Sequence, residues 1–244
     1  MRYAPDHKQQ TRQRILAAAG VVFRRRGFAA AGVDEIMREA ELTAGGFYAH
    51  FRSKDELFAA AFLEQLQQSQ TLTGDAPPPP ERALAADAES PDEAPPRGAR
   101  LRATARRYLS RAHRCHIEQG CPLPPLLADL PRQSVAMRRA FQEFLAGSIR
   151  RLAETPSSAA AQNNATVAAD ERRALAALAT MVGGVALSRA VADGALADDI
   201  LAACRELIDS SLDVANLDAV DLDKPSREST VRNPSPRRKG KPKP

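Results

Sequence analysis

Histidine and cysteine are concentrated in one stretch, where His113, Cys115, His116 and Cys121 fall within nine positions. Both residue types bind zinc, and a cysteine thiolate also reacts with oxidants and electrophiles. His113 and His116 share one face of a helix, whereas Cys115 points elsewhere and Cys121 follows a turn. Because this spacing matches no recognised set of zinc ligands, we predict no metal site and interpret the stretch as a helix end.

Cys121 is a candidate sensor of oxidants or electrophiles. Such a role needs a thiolate, and the nearby Arg114 and His116 could lower the pKa of the thiol. Two alternatives remain open from the sequence: Cys121 lines an apolar effector pocket, or it belongs to the core, where a neutral thiol is the common state.

No arrangement of residues in the chain is typical of an enzyme. The sequence has four histidines, and it contains no glycine-rich phosphate loop and no nucleophile elbow. We therefore predict a protein without catalytic activity and without a cofactor. An enzyme or metal protein that carries a helical N-terminal domain remains the alternative from a different class.

Composition favours an all-helical protein. The 244 residues include no tryptophan, the hydrophobic fraction of 43% depends mainly on alanine and leucine, and the net charge of +5 would suit a polyanionic partner. No apolar run approaches the ~18 residues of a membrane span, and the N-terminus lacks the apolar core of a signal peptide. We expect a cytoplasmic protein with reduced cysteines and no membrane partner.

The stretch from Leu42 to Phe51 is predicted to form a short helix with one buried and one exposed face. Thr43 is a suitable N-cap, and Phe47 lies one helical turn from Phe51 on the buried face. The opposite face presents small and polar side chains, namely Ala44, Gly45, Tyr48 and His50. This exposed half is available to a partner.

The surrounding elements form a helix-turn-helix pattern. Apolar residues at helical spacing predict a first helix over 11–26 that stops at Gly27, and a second over 33–40. About three residues, Glu41 to Thr43, then lead into the short helix that ends at Phe51, which is the one that enters the DNA groove in such an arrangement. A capping box at Ser53 begins another helix, whose first residue, Lys54, could meet a phosphate.

Residues 11 to 63 resemble the N-terminal domain of the tetracycline-repressor (TetR) family of bacterial transcription regulators. The matching positions are Ala17 to Phe23, Gly27-Phe28, Val33, Ile36, Leu42-Thr43, Gly45, Phe47-Tyr48, His50-Phe51 and Ser53-Lys54. The resemblance implies an all-α fold, with a three-helix helix-turn-helix DNA-binding domain followed by a helical ligand-binding and dimerisation domain.

The resemblance also implies roles for six residues. Phosphate contacts are assigned to Tyr48, His50 and Lys54, and groove contacts to Thr43, Ala44 and Gly45. The chain departs from the family pattern at three places: Ala31-Gly32 lacks the usual helix cap, Glu41 replaces a turn glycine, and Ala44 replaces a frequent Lys or Arg. Direct readout of bases by hydrogen bonds is therefore expected to be limited.

The remaining chain divides by composition. We predict a DNA-binding domain over 1–52, a connecting helix over 53–70, a disordered proline-rich acidic insert over 71–99, a helical domain over 100–217 and a disordered basic tail over 218–244. In the helical domain, helices are expected over 101–118, 135–153, 170–191 and 197–217, and prolines should prevent a regular helix over 121–127. The tail is interpreted as solubilising or as a non-specific DNA contact.

By resemblance, the two last helices pair with those of a second copy, and a small molecule bound among the C-terminal helices releases the DNA operator. The effector pocket is expected to be apolar, and helical spacing nominates Tyr108, Leu109, Cys121, Leu126, Met137, Phe141, Phe144 and Met181. The predicted function is a ligand-released repressor. A regulator that senses oxidants through Cys121, or one without an effector, is the alternative.

Overall fold

The computed structural model describes residues 5–69, 98–153 and 164–222, which are helical and include no strand. The N-terminal bundle consists of α1 (Pro5–Ala30), α2 (Val33–Glu39), a 3₁₀ helix (Ala44–Ala49) and α3 (Lys54–Gln68). The C-terminal half consists of α4 (Ala99–Tyr108), α5 (Arg111–Cys115), α6 (Leu123–Leu126), a 3₁₀ helix (Leu127–Arg132), α7 (Val135–Ala153), α8 (Asn164–Ala190) and α9 (Gly194–Leu222). The all-helical prediction is confirmed.

The first helix does not end at Gly27 as predicted. Gly27 has φ 75° and kinks the chain, after which helical structure resumes to Ala30. The kink frees the backbone N–H of Phe28, which donates to Asp129 Oδ2 at 3.0 Å. A carboxylate from the C-terminal half therefore stabilises the kink in the N-terminal bundle.

The start of α3 confirms the predicted helix cap at Ser53. Ser53 Oγ accepts the N–H of Glu56 at 3.1 Å, and Glu56 Oε2 in turn accepts the N–H of Arg52 at 2.9 Å. The reciprocal bond of a standard capping box goes to the cap residue itself, so this cap is shifted by one residue.

Helix boundaries in the C-terminal half differ from prediction in four places. The helix expected over 101–118 is broken after Tyr108, because Ser110 begins α5 by accepting the N–H of His113 at 3.1 Å. One helical turn, α6, forms in the proline stretch, since its prolines stand at the start of the turn, where their missing N–H groups cost nothing. Helix α8 begins earlier than predicted, and α9 continues to Leu222 rather than ending at 217.

One hydrophobic core joins the two halves. Phe23, Phe58 and Phe62 are almost fully buried, and Phe62 of α3 meets Phe141 of α7 with ring centroids 6.0 Å apart. Helix α7 spans Val135–Ala153, as its apolar spacing predicted. The bundle is therefore positioned by direct packing on the C-terminal half.

Two neighbouring glycines in α8 have different surroundings. A Cβ on Gly184 would lie 2.7 Å from Cys204 Sγ and 3.1 Å from a methyl group of Leu109, so the absence of a side chain lets α8 and α9 approach closely. A Cβ on Gly183 would meet nothing within 4 Å. Gly184 serves the packing of its own chain, whereas Gly183 lies on an open surface.

Most of the predicted insert and tail lies outside the described residues. The exceptions are the last two insert residues, Gly98 and Ala99, which lead into α4, and the first tail residues, which belong to α9. Within the described ranges, no helix is long and apolar enough to cross a membrane.

Glu41 stands in place of a turn glycine and adopts the left-handed backbone, with φ 55°. Glu41→Gly is therefore expected to raise the free energy of unfolding by up to about 1 kcal/mol, because glycine removes the clash of Cβ with the backbone. Arg38→Gly, in an exposed and regular part of α2, should lower it by about 1 kcal/mol. Urea denaturation measures the free energy of unfolding of both variants. An equal decrease for the two would show that the backbone at Glu41 is unstrained.

Candidate nucleic-acid interface

The stretch predicted to enter a DNA groove forms a short 3₁₀ helix rather than an α-helix. Thr43 stands at its N-cap position, but its side chain makes no capping hydrogen bond, contrary to prediction. Two glycines in six residues weaken the helical preference, so the segment depends on its neighbours. Its outer face consists of Thr43, Ala44, Gly45 and Tyr48, all exposed, with Tyr48 at 76%.

The inner face of this segment is anchored by aromatic packing. Phe47 and Phe51 are buried, and their stacked rings have centroids 6.0 Å apart. The Tyr48 ring lies edge-on to Phe47 at 5.1 Å, and the guanidinium of Arg12 lies 4.5 Å from the centre of the Phe51 ring. The exposed Tyr48 hydroxyl is therefore presented from a rigid base.

Lys54 connects the start of α3 to the end of α1. Its Nζ donates to the carbonyl oxygens of Phe28 at 2.9 Å and Ala31 at 3.1 Å, and lies 4.5 Å from the centre of the Phe28 ring. The predicted phosphate contact therefore belongs to a lysine that also stabilises the fold.

His50 is half-buried beside the N-terminal part of α1. Burial, and then the cations Lys8 and Arg12, lower the pKa of His50. Its Nδ1 is buried and has no hydrogen-bond partner among the described residues. At neutral pH the imidazole is therefore uncharged, so it would meet a phosphate as a neutral donor.

The N-terminal and the C-terminal parts of the chain each match a known protein family in sequence. Residues 15–61 match the family described as "Bacterial regulatory proteins, tetR family", and residues 98–204 match "Tetracyclin repressor-like, C-terminal domain". Together these matches cover more than half of the chain. The chain belongs to the TetR family of bacterial transcription regulators.

Curated TetR-family relatives match in the N-terminal part. The transposon Tn10 TetC protein of Escherichia coli is 35% identical over 65 residues, which are 25% of this chain and 33% of TetC. The transcriptional repressor NemR of Escherichia coli K12 is 40% identical over 58 residues, 24% of this chain and 29% of NemR. The chain thus spans a third or less of the length of these relatives.

Solved TetR-family structures share the whole described fold. A TetR transcriptional regulator from Chloroflexus aurantiacus gives a TM-score of 0.57 at 22% identity, covering 83% of this chain and 96% of that one. The reduced form of Escherichia coli NemR gives a TM-score of 0.56 at 19% identity, covering 82% and 95%. At these identities the likeness establishes the fold.

The N-terminal turns of α1, which lie beside His50, were not predicted from the sequence. The helix begins at Pro5 rather than near residue 11, which places Lys8 and Arg12 close enough to His50 to lower its pKa. Arg14 donates to the carbonyl of Ala40 at 2.7 Å and so stabilises the turn after α2. Lys8 and Arg12 stand four positions apart, which is the spacing of neighbours on one helix face, and this could have indicated that the helix begins before residue 11.

The residues nominated for an effector pocket lie mainly in the core. Tyr108, Leu109, Cys121, Leu126, Met137 and Met181 are at most 3% exposed, while Phe141 and Phe144 are half-buried. A cavity of about 680 Å³ opens elsewhere, between α1, α3, α4 and α5, and none of the eight lines it. The effector role of these residues remains a prediction.

The environment of Cys121 differs from that needed for a reactive thiolate. The side chain is fully buried, and burial raises the pKa of its thiol to about 11, although the nearby Tyr108 offsets part of the rise. The cations proposed to activate it lie elsewhere: Arg114 pairs with Asp198 at 2.9 Å, and His116 is exposed. A neutral thiol is therefore the resting state.

Both ring nitrogens of His113 have backbone partners within the fold. Its Nδ1 lies 2.7 Å from the carbonyl oxygen of Tyr108, and its Nε2 accepts the N–H of Cys121 at 3.0 Å. Both ring nitrogens of the neutral imidazole are thus used. Within the described residues, no group of three or more His, Cys, Asp or Glu side chains could hold a metal ion.

The pH dependence of stability should report this buried histidine. Burial lowers the pKa of His113, so the unfolded chain takes up this proton at a higher pH than the folded chain. The stability due to neutral His113 is complete above the unfolded pKa of about 6.5, and is lost as the pH falls through the folded value. Urea midpoints measured at falling pH should decline less steeply for His113→Gln than for the wild type. The exposed His116→Gln serves as control, and equal slopes for all three proteins would contradict the assignment.

Proposed function

We propose that the protein is a homodimeric repressor that binds a DNA operator and is released by a small-molecule effector. The observation that carries the proposal is the outer face of residues 43–48, which is exposed while Phe47 behind it is completely buried. The transcriptional repressor NemR, one of the matched relatives, supports repression as the mode of action.

The proposed DNA contacts follow the shape of this face. Thr43, Ala44 and Gly45 are small, so they allow the backbone to approach base edges closely, and Tyr48 projects toward a phosphate. Ala44 and Gly45 offer no side-chain hydrogen bonds. Specificity then arises from close fit and backbone position more than from a hydrogen-bond code.

The proposed dimer uses the outer surfaces of α8 and α9. Leu187 of α8 and Leu207 of α9 are each 61% exposed, and Leu196 shares a helix face with Leu207, three turns away. Gly183 lies one turn from Leu187 and leaves open space above its Cα. An apolar surface with such a gap suits the close approach of a second copy. Pairing would also bring together two DNA-binding faces, one from each copy, so that both could contact an operator with two-fold symmetry.

Binding to duplexes tests the proposal. Fluorescence anisotropy at moderate salt would compare fragments from the region upstream of the gene and its neighbours with scrambled duplexes of the same composition. We expect at least one fragment to bind much more tightly than its scrambled form. Equal affinity for all duplexes would refute sequence-specific regulation.

A further inference from the structure

We propose that the cavity between the N-terminal bundle and the C-terminal helices binds a small organic anion, which acts as the effector. Its volume of about 680 Å³ falls in the range of small-molecule sites. The effector role rests on the proposed function, whereas binding of the anion does not.

The charge of the lining favours an anion. Arg24 from α1 and Arg107 from α4 both line the cavity, together with His113 and His116, and none of its lining residues in the described part of the chain is acidic. Ala17, Val21 and Ala112 supply apolar surface. A ligand with one negative group and an apolar body, such as an aromatic carboxylate, matches both parts of this lining.

Arg24 is the residue best placed to bind the charged group. Its guanidinium donates to the side-chain oxygen of Gln65 and to the backbone carbonyl of Glu118, both of which are neutral acceptors, and its Nε is buried with no hydrogen-bond partner among the residues that the structure describes. The Glu118 carboxylate pairs instead with Arg25 at 2.9 Å. Burial accordingly lowers the pKa of Arg24, with Glu118 offsetting part of the shift. An anion in the cavity would compensate this half-buried charge.

The contacts of Arg24 connect the cavity to the DNA-binding half. Gln65 lies against α1 at Gly20, where an added Cβ would fall only 1.0 Å from the amide nitrogen. Glu118 belongs to the segment after α5. An anion that attracts the guanidinium would compete with both carbonyl acceptors, and would thereby change how α1 is held against α3 and the C-terminal half. Differential binding to two arrangements of α1 is the physical requirement for release of DNA.

Calorimetric titration of the full-length protein with 2-naphthoate tests the site, with 2-naphthamide as the uncharged isostere. We expect saturable binding of naphthoate and binding of naphthamide that is weaker by about tenfold or more, as for loss of a charge-assisted hydrogen bond. Arg24→Gln should weaken naphthoate binding by a similar factor. The matched control is Arg26→Gln, which removes an exposed arginine of the same helix that does not line the cavity and pairs with Glu35.

A second variant keeps the test independent of Arg24 and its contacts. Ala17→Phe places a ring in the cavity from an exposed position on α1 and should abolish naphthoate binding while preserving the helical circular dichroism signal. Absence of saturable naphthoate binding at millimolar concentrations, equal affinity for naphthamide, or equal effects of Arg24→Gln and Arg26→Gln would overturn the anion site.

The effector role is tested separately from the site. Saturating naphthoate should lower the affinity for the preferred duplex in the wild type and leave it unchanged in Ala17→Phe. An unchanged DNA affinity in the wild type would overturn the effector role. Failure to bind any duplex specifically, with naphthoate binding intact, would refute the proposed repressor and leave the anion site standing.

Discussion

Tyr48→Ala is expected to weaken binding of the dimer to operator and to scrambled duplex alike, by at least about tenfold, as for loss of a hydrogen bond to a charged group. Tyr48 is 76% exposed and projects from the buried Phe47 and Phe51, so its removal should leave the thermal midpoint nearly unchanged. Anisotropy with both duplexes at one salt concentration measures the loss. Tyr48→Phe, which retains the ring, shows how much of it belongs to the hydroxyl.

Lys54→Ala provides the contrast that separates a surface contact from a structural one. This substitution should also weaken binding to both duplexes. Because Nζ donates hydrogen bonds to the carbonyls of Phe28 and Ala31, it should in addition lower the free energy of unfolding by about 2 kcal/mol. A Tyr48→Ala defect confined to one operator position, or a Lys54→Ala protein as stable as wild type, would contradict these roles.

The second large effect is expected at the proposed dimer surface. Leu187→Glu or Leu207→Glu should convert the protein to a monomer at micromolar concentration and reduce operator affinity by more than about a hundredfold. Burial of each leucine is worth roughly 2 kcal/mol, two-fold symmetry repeats the loss, and a buried carboxylate adds a desolvation cost. Sedimentation velocity measures the assembly and anisotropy the affinity.

Val135→Glu is the matched control for this experiment. Val135 is 56% exposed at the start of α7, so the substitution adds the same charge at an exposed position that belongs to neither α8 nor α9. It should leave both assembly and operator affinity unchanged. A dimer that survives Leu187→Glu and Leu207→Glu alike would place the interface elsewhere.

Local signals in the sequence predicted much of the N-terminal bundle. The apolar spacing identified the buried faces, and Ser53 marked the start of α3. The backbone at Glu41 stayed open, because a residue with a Cβ could keep the left-handed turn or adopt another conformation. The form of the 3₁₀ segment could not be predicted, since the glycines allow several helical forms and packing of Phe47 and Phe51 decides among them. The break after Tyr108 was hidden because apolar spacing continues across it, while the competing cap at Ser110 resembles any helical serine.

Contacts between distant parts of the chain were the main omission. Helical spacing shows which residues face inward, but it cannot distinguish a core residue such as Met181 from the wall of a cavity. The acceptors of Arg24 lie 41 and 94 positions away in sequence, and those of Lys54 at Phe28 and Ala31 lie 26 and 23 positions away. Because no local sequence pattern indicates such pairs, the cavity between the helices was not predicted.

The uncharged state of His50 has a consequence for the thermodynamics of DNA binding. Among the six residues nominated as DNA contacts, only Lys54 carries a full charge, so a dimer with these contacts alone would release few counterions. The logarithm of its affinity would then fall with the logarithm of salt concentration with a slope of about −2. A steeper slope would indicate phosphates neutralised by other cations, and Lys8 and Arg12 in the first turns of α1 are candidates because they lie close enough to His50 to lower its pKa.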